Sequence, residues 1–117
     1  SKAVPEYEQN LVNLIKDLRK ELNAPSLPVV IGELDNGGPQ ATGAMAAIRK
    51  AQAAAAARPE FKGTVLFVET HDFQRPANES PCPGHGHHEF ANAETYFLTG
   101  NALGEGMKKL LRAASHK

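Results

Sequence analysis

The sequence contains a single cysteine and no long apolar run, and its formal net charge is zero. The single cysteine, Cys82, excludes an internal disulfide and gives no framework that would indicate an oxidising compartment. Thirteen basic residues balance thirteen acidic ones without a basic run, so bulk charge predicts no nucleic-acid partner. No segment reaches the roughly 18 to 20 apolar residues of a membrane span, and the first ten residues lack the apolar core of a signal peptide. The composition therefore predicts a soluble unit without a membrane partner and leaves the cell compartment open.

The spacing of apolar residues predicts three helices and two strands in a single domain of 117 residues. We expect helices at about 5–22, 41–58 and 92–114. The first repeats apolar residues at helical spacing, the second is rich in alanine, and the third begins at an asparagine suited to an N-cap. The short apolar runs at 27–34 and 65–68 are typical of strands covered on both faces. Because helices and strands alternate, the order predicts an α/β fold with parallel strands.

Two strands are few for such a fold. A two-stranded parallel sheet flanked by three helices would leave long unpaired edges. The protein would therefore either pair with another chain or form the C-terminal portion of a larger doubly wound domain. We favour the second interpretation, which makes residues 1–117 a single unit completed by an N-terminal segment.

The residues that follow the two predicted strands are candidates for chemistry. In open parallel sheets, ligands bind beyond the carboxyl ends of the strands. A third group lies in residues 81–91 (PCPGHGHHEFA), called the histidine loop below, which leads into the last predicted helix. A histidine against a carboxylate is the acid–base half of a hydrolase. Besides the histidine loop, the candidates at this edge are Glu33, Asp35, Glu69, His71 and Asp72.

A nucleophile is harder to find. The serines are Ser1, Ser26, Ser80 and Ser115, and none lies in a strand-to-helix elbow of the G-x-S-x-G kind. Nothing in the sequence around Cys82 indicates an activated thiol.

Several long blocks resemble a known family. They are YEQNLVNLIKDLRKELNAPSLPVVIGELDNGG, VLFVETHDF and GHHEFANAETYFLTGNALGEGM. These are similar to the C-terminal half of sialate O-acetylesterase and acetylxylan-esterase-like carbohydrate esterases, within the SGNH-hydrolase superfamily. The resemblance implies a three-layer flavodoxin-like fold and removal of O-acetyl groups from sugars or polysaccharides by Ser-His(-Asp) acyl transfer. It implies no cofactor, an acetylated carbohydrate as substrate and a family that is often secreted or periplasmic.

The resemblance also implies roles for individual residues. Aligning NAETY with the family's last block makes His88 the catalytic histidine, while the family's nucleophile and oxyanion-hole residues belong to earlier blocks that nothing here matches. The superfamily usually carries Asp three residues before this histidine, where this chain has His85. We therefore expect Asp72 to be the acid, with Glu89 and Glu33 as substitutes. The expected substrate-binding residues are Glu33, Asn36 and His71.

Two other interpretations stay open. The first is a Cys/His metal-binding module, because Cys82 and the nearby histidines are ligands that Zn²⁺ accepts. Their C-x-x-H-x-H-H spacing matches no closed structural zinc site, so we expect no metal. The second is a non-catalytic α/β domain that keeps the esterase shape and acts through contacts.

Overall fold

A computed structural model describes residues 3–116 of the protein, in which three α-helices alternate with two strands. The elements are α1 (Ala3–Glu21), β1 (Val29–Gly32), α2 (Gly43–Ala56), β2 (Val65–Val68) and α3 (Ala93–Ser115). Short 3-10 turns lie at Gly38–Gln40, Pro59–Phe61, His71–Phe73 and Ala77–Glu79. The segment Gly86–Ala91 also turns tightly, but it is kinked and its dihedrals from His88 onward are not helical. The predicted order of elements is confirmed, with boundaries shifted by a few residues.

The two strands pair in parallel, as predicted. Val29 lies opposite Val65, and the pairing continues to Gly32 opposite Val68. β1 is shorter than the predicted 27–34, because helix side chains bond to the backbone at both ends of that run. Arg19 Nη2 donates to the carbonyl of Leu27 at 2.8 Å, and the N–H of Leu34 donates to the side chain of Gln52 at 2.9 Å.

Helices cover both faces of the sheet. On one face, side chains of α1 and α2 form a buried core with the strands and the segment before β2; its members are Val12, Ile15, Ile31, Ala55, Phe61 and Val65. On the other face, α3 crosses both strands. A Cβ atom at Gly106 would lie 3.0 Å from Val68 Cγ2, so the glycine allows α3 to approach the sheet closely. The architecture is therefore α/β and layered.

The sheet has an unpaired edge on each side, since β1 and β2 pair only with each other among residues 3–116. Leu14, Leu18 and Leu22 form an exposed apolar stripe along α1. Contiguous exposed apolar surface marks an interaction surface more often than a finished exterior. The open edges that the sequence predicted are thus present in the structure.

Candidate active site at the carboxyl edge of the sheet

Glu33 lies immediately after β1, with only 2% of its side chain exposed. Its carboxylate accepts a hydrogen bond from His71 Nδ1 at 2.7 Å and lies 3.1 Å from Arg49 Nε. A buried carboxylate requires such partners, because transfer of an unpaired charge out of water is strongly unfavourable. The guanidinium of Arg49 also donates to three carbonyls of the loop after β1, those of Leu34, Asn36 and Gly38. The ion pair therefore fixes the loop as well as the charge.

His71 lies in the turn after β2 with carboxylates on both sides of its ring. Nδ1 faces Glu33, and Nε2 lies 3.6 Å from Asp72 Oδ1. Asp72 itself is 81% exposed through its side chain, so it can move without disturbing packing. The buried hydroxyl of Thr70 donates to the carbonyl of Glu33 at 3.1 Å and ties the two loops together. An open cavity of about 230 Å³ lies beside this pair, lined by Glu33, Arg49, Lys50, Phe67, Glu69 and His71.

The histidine loop exposes three imidazole rings. The ring centroids of His87 and His88 lie 4.3 Å apart, and those of His85 and His87 lie 6.0 Å apart. The backbone under His88 is fixed, since the hydroxyl of Tyr96 donates to its carbonyl at 2.7 Å. Within residues 3–116, no hydrogen bond or ion pair occupies the ring nitrogens of His88. Both nitrogens are therefore open to a group that approaches from outside.

Glu89 is buried directly after His88 and joins the histidine loop to the loop after β2. Its carboxylate accepts a hydrogen bond from Gln74 Nε2 at 2.9 Å, and Asp35 of the loop after β1 lies nearby. Burial raises the pKa of Glu89, the hydrogen bond from Gln74 lowers it, and the Asp35 carboxyl raises it. Three loops thus meet at one edge of the sheet.

The structure brings some of the predicted site residues together and leaves others apart. Glu33, His71 and Asp72 form one cluster, whereas the ring of His88 makes no bond to Asp72. The backbone carbonyl of Asn36 accepts a hydrogen bond from Arg49 at 3.2 Å. Arg49 is a functional residue that the sequence pattern did not indicate, although it is one of the few polar residues of the alanine-rich α2. A charged residue among alanines was the sequence signal that could have identified it.

The hydrogen bonds of the serines in the described part of the chain do not resemble those of a nucleophile. Ser80 Oγ donates to the carbonyl of Pro76 at 2.8 Å and accepts from Asn92 Nδ2 at 3.0 Å. Asn92 is also the N-cap of α3, as predicted, because its side chain accepts from the N–H groups of Glu94 and Thr95. Among Ser26, Ser80 and Ser115, none is hydrogen-bonded to a histidine ring.

The cysteine and the histidines of the histidine loop were the candidate ligands for a metal ion. Across the part of the chain that the structure describes, no cluster of three or more His, Cys, Asp or Glu residues is arranged to hold a metal ion. Cys82 is a free, half-buried thiol whose backbone N–H donates to the carbonyl of Phe90 at 2.9 Å.

None of the helices between residues 3 and 116 has the length and apolar character needed to cross a bilayer.

Comparison with known families gives the class of protein. A model of the family described as carbohydrate esterase, sialic acid-specific acetylesterase, matches residues 1–94. Because this match covers most of the chain, the protein belongs to that family of carbohydrate esterases. The resemblance to sialate O-acetylesterase-like carbohydrate esterases is therefore confirmed. The matched range includes the loops after both strands and the histidine loop. No curated protein and no solved structure matches the chain.

Proposed function

We propose that the chain is the acid–base portion of a carbohydrate O-acetylesterase, the C-terminal part of a three-layer flavodoxin-like domain. It would act on acetylated sugars or polysaccharides by Ser-His-Asp acyl transfer, with the nucleophilic serine supplied by another segment. The observation that carries the proposal is the open imidazole of His88 on a fixed backbone, in a loop that the next residue, Glu89, connects to the loop after β2. Membership of the esterase family supports it.

His88 is the proposed general base. A base must reach the hydroxyl that it deprotonates, and an exposed ring with unoccupied nitrogens meets that requirement. Asp72 is the proposed acid, since its exposed carboxylate lies in the turn after β2, at the same edge. We assign substrate binding to Glu33 and His71, which line the open cavity, and to Asn36 in the loop after β1.

The outer edge of β1 is the proposed place for the missing segment. The N–H groups of Val29 and Glu33 donate to the carbonyls of Thr64 and Val68, on the β2 side. By the alternation of a parallel ladder, the N–H groups of Val30 and Gly32 face away from β2. These free groups can accept a further parallel strand.

Two features support this edge. The side-chain amide of Gln52 donates to the carbonyl of Gly32 at 3.1 Å and accepts from the N–H of Leu34 at 2.9 Å. One residue of a neighbouring parallel strand makes the same two bonds. In addition, α1 and α2 pack side by side on one face of the sheet. Packed helices have axes roughly 8–10 Å apart, whereas neighbouring strands lie about 4.8 Å apart, so the two helices cover a greater width than the two strands. An added strand would widen the sheet beneath these two helices.

Amide hydrogen exchange tests the proposed edge. In this chain alone, we expect the amides of Val30 and Gly32 to exchange at least about tenfold faster than those of Ile31 and Leu34, because only the latter pair is bonded. Adding a complementing N-terminal esterase segment should slow Val30 and Gly32 and leave Ile31 unchanged. Protection that appears on β2 instead would contradict the assignment.

Activity assays test the function itself. The purified chain should hydrolyse neither acetylated sugars nor p-nitrophenyl acetate above background, because the nucleophile and the oxyanion hole supply most of the rate in acyl transfer. The complemented protein should be active. Serine-dependent turnover by the chain alone, abolished in Ser80→Ala, would show that the nucleophile lies here. A complemented protein that binds acetylated sugar without turnover would favour the non-catalytic alternative.

A further inference from the structure

The end of the histidine loop adopts an unusual backbone conformation. Glu89, Phe90 and Ala91 have φ values of 50°, 53° and 56°, so three successive residues other than glycine are left-handed. Each such residue is less favourable than in a right-handed conformation, because its Cβ atom lies too close to the following carbonyl oxygen. A conformation of this kind persists only where the surroundings enforce it, and it is found most often at functional sites.

Backbone hydrogen bonds from Phe90 to His85 and from Cys82 to Phe90 hold this run, and Glu89 adds a side-chain contact to another loop. With 6% exposure, Glu89 is the buried residue of the histidine loop, and its carboxylate is bonded to Gln74 at 2.9 Å. Gln74 is itself confined, because a Cβ atom at Gly38 would lie 2.6 Å from its Oε1 atom. The backbone carbonyl of Glu89 accepts from the N–H of Asn92, which connects the left-handed run to the start of α3.

We propose that Glu89 is a positioning residue for His88: its buried carboxylate attaches the left-handed run to the loop after β2 and so sets the direction of the exposed imidazole. The importance of that direction rests on the proposed function. The effect of Glu89 on the conformation of the histidine loop can be measured in this chain by a method that does not depend on esterase activity. Failure of the esterase assay and failure of this inference are therefore separate results.

The attachment should depend on pH. Asp35 is the charged group that faces Glu89 from the loop after β1, while the loop after β2 presents the uncharged amide of Gln74. Because burial raises the pKa of Glu89, the folded state favours its protonated form. The contribution of protonated Glu89 to the free energy of unfolding is complete below the ordinary glutamate pKa and is lost as pH rises through the raised value. The bond from Gln74 favours the ionised form and opposes part of this loss. A glutamine at this position should remove that dependence.

The test uses nuclear magnetic resonance on the chain and three variants. In Glu89→Ala, we expect amide exchange across residues 82–91 to rise about tenfold or more, and the distinct ring signals of His87 and His88 to converge. In Glu89→Gln, the amide can accept from Gln74 and donate to Asp35, so both readouts should match the native chain without its pH dependence. Glu79→Ala, an exposed glutamate of the connecting segment, is the matched control and should change neither readout.

Native exchange rates and ring signals in Glu89→Ala would overturn the inference, as would a Glu89→Gln variant as disturbed as Glu89→Ala. If Glu89→Ala does not fold, Gln74→Ala replaces it, since that change removes the donor and keeps the carboxylate. Gln74→Ala should then reproduce the faster exchange, and an unchanged histidine loop would again refute the role of Glu89.

Discussion

Replacing His88 by alanine in the complemented esterase should lower kcat by about 10²- to 10⁴-fold, the usual contribution of a positioned general base. The fold should be almost unaffected, because the ring of His88 is exposed and its nitrogens form no bonds within residues 3–116. Steady-state kinetics on an acetylated sugar, together with a thermal melt of each variant, separates loss of the base from loss of the fold.

His85→Ala is the matched control, since His85 is an exposed histidine of the same loop. Its kcat should stay close to the native value. His71→Ala distinguishes the other imidazole at this edge, which Glu33 already orients at 2.7 Å. Should His71→Ala abolish turnover while His88→Ala leaves it intact, the base would be His71 with Glu33 as its acid, and the proposed assignment would be wrong.

Glu33→Ala should lower the free energy of unfolding of the chain by about 3–5 kcal/mol, the usual effect of removing one partner from a buried ion pair. The substitution leaves Arg49 and His71 without the carboxylate that both contact. It also loosens the loop after β1, because Arg49 bonds to three of its carbonyls. Urea denaturation followed by circular dichroism measures the change.

Glu60→Ala provides the comparison for this experiment. Glu60 pairs with Lys16 at 3.0 Å, but both side chains are exposed, and surface pairs contribute little to stability. Its urea midpoint should lie near that of the native chain. If Glu33→Ala unfolds at the same urea concentration as Glu60→Ala, the buried network does not hold this edge together.

The elements could be predicted from the sequence because each depends on local pattern. Helical spacing in α1, alanine content in α2 and the cap at Asn92 all act over a few residues. The carboxyl edge could be located for the same reason, since parallel strands place their following loops together. Membership of the esterase family could also be inferred, from motifs in those loops.

The pairing of side chains at that edge could not be predicted. His71 meets Glu33 across 38 residues of sequence, and nothing in either local segment specifies that contact. The left-handed run at 89–91 was equally hidden, because Glu, Phe and Ala rarely adopt positive φ and no glycine marks the place. The contacts that hold it include the bond between Glu89 and Gln74, which lie in different loops, and a backbone bond from Phe90 to His85.

The side chain of Gln52 has a consequence for assembly. A strand that joins the outer edge of β1 can align with it in several registers, and a slip of one residue would turn its apolar face away from the core. The Gln52 amide already holds the carbonyl of Gly32 and the N–H of Leu34, so a strand that slides toward that end must first displace it. In the proposed assembly, Gln52 would therefore limit how far the strand can slide. The alignment of a serine on the incoming segment with the histidine loop would then be fixed by a residue that touches neither.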